Sequence, residues 1–148
     1  LIFGVFPYVA PLLEARGAGG PTEAGVIIAG FAVGGLLYSA LVAVMLRRLG
    51  LTRMLFAAGG LAAGALLGLG VPGLWAKDAA FMVLLGLAFY MLHNSFQTQV
   101  TEVAPGARAS AVSLHAFSFF IGQAIGPVAM GAGLGLVGQG ATFAASAT

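Results

Sequence analysis

The segment AGVIIAGFAVGGLLYSALVAVML, residues 24–46, contains 23 consecutive residues without a charged side chain. Two further uncharged segments of 23 residues follow at 54–76 and 79–101, and no charge occurs after Arg108. A transmembrane helix needs about 20 mostly apolar residues to cross about 30 Å of hydrocarbon. The repeated length therefore predicts an all-α integral membrane protein; a buried soluble core is the alternative.

The composition supports this class. Of the 148 residues, 60% are hydrophobic and 7% are charged, whereas a soluble domain carries about 25% charged residues. The chain has no cysteine, so no disulfide framework or cysteine-ligated metal site is available. A basic patch with interleaved aromatic residues is also absent, so nucleic acid is not an expected partner. We expect a lipid bilayer as the environment and no cofactor.

Turn and charge signals divide the chain into transmembrane segments. We expect an antiparallel bundle of five to six spans, forming one partial transmembrane domain at 1–148. Both ends lie in apolar sequence, which favours a fragment of a longer membrane protein over a natural short protein. The expected spans are 1–13, 23–46, 54–71, 79–101, 109–137 and the start of a sixth at 141–148.

The connectors predict the orientation of these spans. Because they are short, neighbouring helices must be antiparallel, which places 47–53 and 102–108 on one side and 14–22 and 72–78 on the other. The first side holds four arginines, against one arginine and one lysine on the second. The excess of positive charge predicts that 47–53 and 102–108 face the cytoplasm at the inner membrane of the cell.

Span 79–101 contains an unusual polar segment, LHNSFQTQ, at 92–99. Residues three and four apart share a helix face, so this span carries one polar stripe. Unpartnered polar groups are costly in lipid, so we expect the stripe to line a water-filled cavity or the bundle interior. Interhelical hydrogen bonding is the alternative. The stripe consists of Tyr90, His93, Asn94, Gln97, Thr98 and Thr101.

His93 is the only side chain in the three uncharged segments that titrates near neutral pH. Ionisable residues inside membranes are functional candidates, so His93 is a candidate proton relay. The alternative is a neutral imidazole hydrogen-bonded to Gln97 or to another helix. His115, one turn before Ser118, is expected to pack or to form hydrogen bonds. Two histidines without cysteine make a poor metal site.

Proline and glycine mark further features. Pro7 and Pro11 break span 1–13, and broken helices often border a transporter's substrate path. Glycines four apart form grooves in which helices approach closely, and we expect such packing for the series that contain Gly60 and Gly122. Pro127 follows Gly126 and predicts a kink. The glycine series are Gly30 and Gly34; Gly60, Gly64 and Gly68; and Gly122 and Gly126.

No nucleophile elbow, phosphate-binding loop or metal-ligand cluster occurs in the sequence. The only aspartate, Asp78, lies in a connector. We therefore do not expect an enzyme.

The segments RRLGLTR at 47–53, EVAPGARASAVSL at 102–114 and GQAIGPVAMG at 122–131 occur in this order along the chain. Together they resemble half of a major facilitator superfamily transporter of the drug or sugar efflux type. RRLGLTR at 47–53 is similar to the family's basic loop G-x-x-x-D-R-x-G-R-R. Arg48, Gly50 and Arg53 match that pattern, whereas Arg47 fills its acidic position, which suggests the C-terminal half. The other segments are EVAPGARASAVSL at 102–114 and the Gly-Pro segment GQAIGPVAMG at 122–131, which is similar to that of antiporters.

The resemblance implies a twelve-helix protein of two halves, in which the first and fourth helices of each half line the substrate cavity. The partners would be the missing other half of the same chain and a small-molecule substrate. Transport would proceed by alternating access, commonly driven by protons. The implied cavity residues are Tyr8, Tyr90, His93, Asn94, Gln97 and Thr98. The implied cytoplasmic gate residues are Arg47, Arg48, Gly50, Arg53, Glu102 and Arg108, and the implied packing or hinge residues are Gly122, Gly126 and Pro127.

Two other functions remain open from the sequence. A small structural or assembly membrane protein would oligomerise through its glycine-rich helix faces. A channel subunit would pass solute without saturation.

Overall fold

The computed structural model describes residues 2–148, so Leu1, the first residue of the predicted first span, lies outside the described part. Every regular element of the described residues is helical, which confirms the prediction of an all-α fold. The order is two 3-10 turns at Ile2–Gly4 and Phe6–Tyr8, α1 Val9–Ala15, α2 Pro21–Gly70, α3 Trp75–Val103, a 3-10 turn at Pro105–Ala107, and α4 Arg108–Ser146.

Three helical stretches are long and apolar enough to cross a membrane. They are Pro21–Gly70, Trp75–Val103 and Pro105–Ser146. The stretch at Ile2–Ala15 is apolar but shorter. Its prolines fall where helices tolerate them, because Pro7 is the second residue of a 3-10 turn and Pro11 lies in the first turn of α1.

The long helix α2 reverses direction at Gly50. The backbone there has φ 70° and ψ 169°, a conformation available essentially to glycine alone. A straight helix of this length would extend about 75 Å. Instead, Ile27 and Leu69 line the same small cavity, and Tyr38 packs in one cluster with Met54. The arms 21–49 and 51–70 therefore form an antiparallel pair, with the reversal inside the predicted connector.

A second reversal divides α4 at Gly138, where φ is 80° and ψ is 175°. A Cβ on Gly133 would lie 2.6 Å from the side chain of Thr142, although the two residues would be about 13 Å apart along a straight helix. The arm 139–146 therefore folds back beside the arm 108–137. It packs on the end of α2, where Gln139 Nε2 donates a hydrogen bond to the Leu69 carbonyl over 2.9 Å.

Backbone contact joins the first arm of α2 to α3. A Cβ on Gly34 would lie 2.5 Å from the backbone nitrogen of Leu87, and a Cβ on Gly30 would lie 3.0 Å from the carbonyl oxygen of Ala79. Gly86 of α3 faces the backbone of Phe31 in return. Residues further along the first arm of α2 contact residues further along α3, so these two helices run parallel.

The glycines favoured for close packing lie elsewhere. No described atom would lie within 4 Å of a Cβ at Gly60, Gly64 or Gly122. The close packing expected at Gly60 and Gly64 is therefore not found among the described residues, whereas Gly68 of the same series does pack, because the ring of Phe81 occupies the space that a Cβ there would need. Gly126 does meet a neighbour, since a Cβ on Gly4 would lie 2.7 Å from its carbonyl oxygen.

The core lies where α2, α3 and the ends of the chain meet. In contrast, the long arm of α4 exposes a broad apolar face; Val128 is 73% exposed and Leu136 is 84% exposed. The fully buried side chains of the core include Leu13, Ile27, Met54, Met82, Leu85, Met130 and Phe143.

Candidate functional site

A cluster of aromatic rings lies where the N-terminal 3-10 turns, α3 and α4 come together. The ring centroid of Phe3 lies 5.0 Å from that of Phe89 and 5.9 Å from that of Phe119, both edge to face. Phe89 and Phe119 are 6.1 Å apart. Phe6 and Phe31 extend the cluster into the core, with their centroids 5.1 Å apart. Edge-to-face pairs of this kind are favourable beyond the apolar area they bury.

Two cavities adjoin this cluster, and Phe119 borders both. We call them together the aromatic cleft. The first cavity, of about 220 Å³, is lined by Ile2, Phe3, Phe89, Ser118, Phe119, Gly122 and Gln123. The second, of about 190 Å³, is lined by His93, Gln97, Val112, His115, Ala116, Phe119 and Phe120.

The cleft lies about halfway along the helices that form it. Phe89 is at the middle of α3, and Gly122 is near the middle of the long arm of α4. The second cavity extends from this level toward the Gly50 turn. None of the lining side chains of either cavity is an aspartate, glutamate, lysine or arginine.

His93 joins the aromatic cluster. Its ring stacks on Phe89 with centroids 5.2 Å apart and lies 4.8 Å from Phe119. The ring of His115 is 6.0 Å away, and its Nε2 is buried without a hydrogen-bond partner among the described residues. No group of three potential metal ligands from His, Cys, Asp and Glu occurs in residues 2–148.

The polar stripe of α3 divides between two places. Gln97 shares the aromatic cleft with His93, whereas Asn94, Ser95 and Thr98 line a separate cavity of about 280 Å³ against the two arms of α2. Adjacent helical residues point about 100° apart, so neighbours in this segment face different helices. The Thr98 hydroxyl donates to the Asn94 carbonyl over 2.9 Å, within its own helix.

The two predicted tyrosines connect helices. The Tyr8 hydroxyl donates a hydrogen bond to the Pro127 carbonyl over 2.9 Å, and its oxygen lies against Gly131. The ring of Tyr90 packs against Gly35, where only glycine leaves room for it. Both residues position the helices around the cleft.

The predicted gate residues lie at exposed helix ends. Arg47, Arg48 and Arg53 surround the Gly50 turn and are exposed, as are Glu102 and Arg108. Arg47 Nε donates to the Ala43 carbonyl over 3.3 Å, and Arg108 Nε donates to the Thr101 carbonyl over 3.2 Å. In the described chain, no ion pair joins these arginines to an acid.

A charged cluster at the opposite end of the bundle was not predicted. Asp78, in the first turn of α3, is 5% exposed and forms an ion pair with Arg16, which follows α1. Lys77 Nζ lies 3.2 Å from Asp78 Oδ1 and donates a hydrogen bond to the Gly68 carbonyl over 2.8 Å. The cluster therefore ties together the ends of α1 and α2 and the start of α3.

This cluster borders a small cavity of about 20 Å³, large enough for one water molecule. Asp78 Oδ1 and Arg16 Nε, both buried, have no hydrogen-bond partner among residues 2–148. The signal available in the sequence was that both connectors were predicted on the same side. The charges of Arg16 and Asp78 could then have been paired.

The aromatic cleft offers ring faces together with amide, hydroxyl and imidazole groups, a combination found in sites for small organic ligands. Comparison of the chain with known protein families, curated proteins and solved structures finds no match.

Proposed function

We propose that this chain is half of a secondary active membrane transporter that moves a small organic solute by alternating access. The observation that carries the proposal is the aromatic cleft, halfway along helices long enough to cross a membrane. Transporters hold substrate near the bilayer midplane, at helices whose backbone is interrupted. Two features support the comparison: the cleft lies halfway along α3, and Phe3 lies in a 3-10 turn that precedes α1.

The resemblance to the major facilitator superfamily supports the same proposal. It implies that the first and fourth helices of each half line the substrate cavity. Here the segment before α1 supplies Phe3 to the cleft, and α3, the fourth span, supplies Phe89, His93 and Gln97. The exposed apolar face of α4 is suited to lipid or to the other half of the protein.

The proposed location is the inner membrane, with 47–53 and 102–108 facing the cytoplasm. The parallel course of the first arm of α2 and α3 supports this arrangement, because both connectors then lie at the same end of the bundle. Proton coupling would use His93 or His115, whose rings lie 6.0 Å apart in the cleft.

The neighbouring residues Gln97 and Asn94 provide the test. Gln97 lies in the aromatic cleft and Asn94 in the cavity against α2, so Gln97→Ala should reduce flux more than Asn94→Ala. Loss of one hydrogen bond to the solute predicts a reduction of about two- to twelvefold. Flux is measured in inverted membrane vesicles with an aromatic dye and, separately, a labelled monosaccharide, after insertion of each variant has been verified.

Equal flux in the two variants and the parent would contradict a substrate path through the cleft. Flux that responds neither to a pH gradient nor to His93→Ala would contradict proton coupling through that residue.

An assembly protein remains the second candidate, and the open glycine face at Gly60 and Gly64 favours it. It predicts that Gly64→Leu disrupts oligomers, whereas alanine at Gln97 is tolerated and no solute flux is seen.

A further inference from the structure

We infer that the aromatic cleft takes a flat, uncharged aromatic solute that carries one or two hydrogen-bonding groups. This inference rests on the proposed function, because it names the substrate class of the same site. The resemblance leaves drugs and sugars equally open, and the lining of the cleft distinguishes them.

The apolar lining is largely aromatic. Phe3, Phe89 and Phe119 surround the first cavity at mutual centroid distances of 5.0–6.1 Å, and Phe120 adds a ring to the second. A flat ring inserted here would meet both faces and edges of its neighbours. Each favourable aromatic pair adds about two- to twelvefold in affinity beyond the contribution of buried area.

The polar groups of the cleft are few and neutral. Gln123 lies in the first cavity and Gln97 in the second, and each side-chain amide can donate and accept. The Ser118 hydroxyl already donates to the Leu114 carbonyl over 2.9 Å, which leaves its oxygen as an acceptor. His115 also lines the second cavity, although its Nε2 is buried and has no described partner. These groups can orient one or two substituents on a ring.

The same lining disfavours other solutes. An ionised solute would find no aspartate, glutamate, lysine or arginine as a countercharge, because none lines either cavity, and an unpaired charge is costly to desolvate. A sugar presents a hydroxyl on most of its ring carbons, and each one buried without a partner opposes binding. The neutral polar groups of the cleft are too few to satisfy them.

A series of naphthalene derivatives tests this inference, because one ring system can be compared at three charges. The probes are uncharged 2-naphthol, anionic 2-naphthoate and cationic 2-naphthylmethylammonium, with decahydro-2-naphthol as the saturated analogue and methyl glucoside as the sugar. Binding is measured at pH 7 by equilibrium dialysis of the protein in phosphatidylcholine nanodiscs, with protein-free nanodiscs as the blank. We expect saturable 2-naphthol binding, at least about fivefold tighter than that of decahydro-2-naphthol, as two aromatic contacts predict. We also expect 2-naphthol to bind more tightly than the two charged naphthalenes, whose charge is costly to desolvate, and than methyl glucoside, whose hydroxyls would lack partners.

Variants on α4 locate the site. Phe119→Leu keeps the apolar volume but removes the ring shared by both cavities, so 2-naphthol affinity should fall about fivefold to tenfold. Phe119→Tyr, which keeps a ring, should retain binding. Phe117→Leu is the matched control, because Phe117 lies on the same helix and is 63% exposed. Circular dichroism verifies that each variant remains helical.

The inference fails if decahydro-2-naphthol binds as well as 2-naphthol, because the cleft would then be a groove for lipid tails or other saturated chains. It also fails if a charged probe or the sugar binds most tightly, or if helical Phe119→Leu binds like the parent. Saturable 2-naphthol binding without any solute flux would overturn the transporter proposal and leave the inference standing. Flux of another solute that 2-naphthol does not inhibit would overturn the inference and leave the transporter proposal standing.

Discussion

Gly34 brings the first arm of α2 into backbone contact with α3, and Gly34→Ala should break that contact. A Cβ at this position would lie 2.5 Å from the Leu87 nitrogen and 2.9 Å from the Gly86 carbonyl carbon. These are backbone atoms of a helix, so no side-chain rotation can relieve the overlap. The two helices must therefore separate locally by about 1 Å to reach ordinary van der Waals distance.

Two opposing effects determine how much Gly34→Ala changes the free energy of unfolding. Introducing a methyl group into a close-packed interface typically costs about 1–3 kcal/mol. Replacing glycine by alanine within a helix returns about 0.5–1 kcal/mol, because the unfolded chain loses conformational freedom. The first effect is larger here, since separation also loosens Gly86 against Phe31. We expect Gly34→Ala to lower the free energy of unfolding by about 1–2 kcal/mol.

Gly64→Ala is the matched control. Gly64 lies in the other arm of the same helix, and no described atom would lie within 4 Å of its Cβ. This variant should keep only the helical gain of about 0.5–1 kcal/mol. The two variants should therefore differ by about 1.5–3 kcal/mol in opposite directions from the parent.

Both variants can be followed by reversible unfolding in mixed micelles as the mole fraction of sodium dodecyl sulfate is raised. The single tryptophan, Trp75, begins α3 and provides a fluorescence signal from that helix. Circular dichroism reports the helices separately. Equal stability of the Gly34 and Gly64 variants would refute backbone contact between α2 and α3.

The same unfolding assay tests two further features. Asp78→Asn leaves Arg16 without its countercharge and should lower the free energy of unfolding by about 1–3 kcal/mol, less than for a fully buried pair, because the Arg16 side chain is 16% exposed. Exchanging the two charges, by Arg16→Asp with Asp78→Arg, should recover part of that stability. An unchanged free energy of unfolding in Asp78→Asn would contradict the ion pair. Gly50→Ala forces a non-glycine residue to φ 70° and should lower the free energy of unfolding by about 1–3 kcal/mol. Gly59→Ala is the control and should not destabilise the protein, because Gly59 is helical and no described atom would lie within 4 Å of its Cβ. An equal change in stability for the two variants would contradict the reversal at Gly50.

The spacing of the charges predicted long helices, because a helix that crosses lipid needs an uncharged segment of a minimum length, whereas a helix in a soluble core does not. The reversal at Gly50 could also be expected, since a glycine between arginines lay between two such segments. Which glycines pack could not be read from the spacing. Gly30 and Gly60 each begin a series of glycines spaced four residues apart, yet of these two only Gly30 faces another described helix. Packing depends on how each helix is rotated about its axis, and the spacing of the glycines does not fix that rotation.

The candidate site was predictable only in part. The sequence identified His93 and Gln97 as cavity residues from their polarity within an apolar segment. Phe89 and Phe119 looked like ordinary apolar residues, and only tertiary structure brings them within 6.1 Å. The sequence places Asp78 in a connector and gives no sign of its burial, because burial of a charge depends on a partner, here Arg16, that lies 62 positions away in sequence.

Charge is distributed unevenly along the proposed transport path. The ion pairs of the described residues lie at one end, where Asp78 meets Arg16 and Lys77. At the other end, the arginines around Gly50 are exposed and form no ion pair within the described chain. Separating the helices at the Asp78 end would break a buried ion pair, whereas separating them at the Gly50 end would not. In the proposed transporter this ion pair would therefore hold the helices of this half together at the end opposite the cytoplasmic connectors, and the middle of the path presents an uncharged solute with no charge to desolvate.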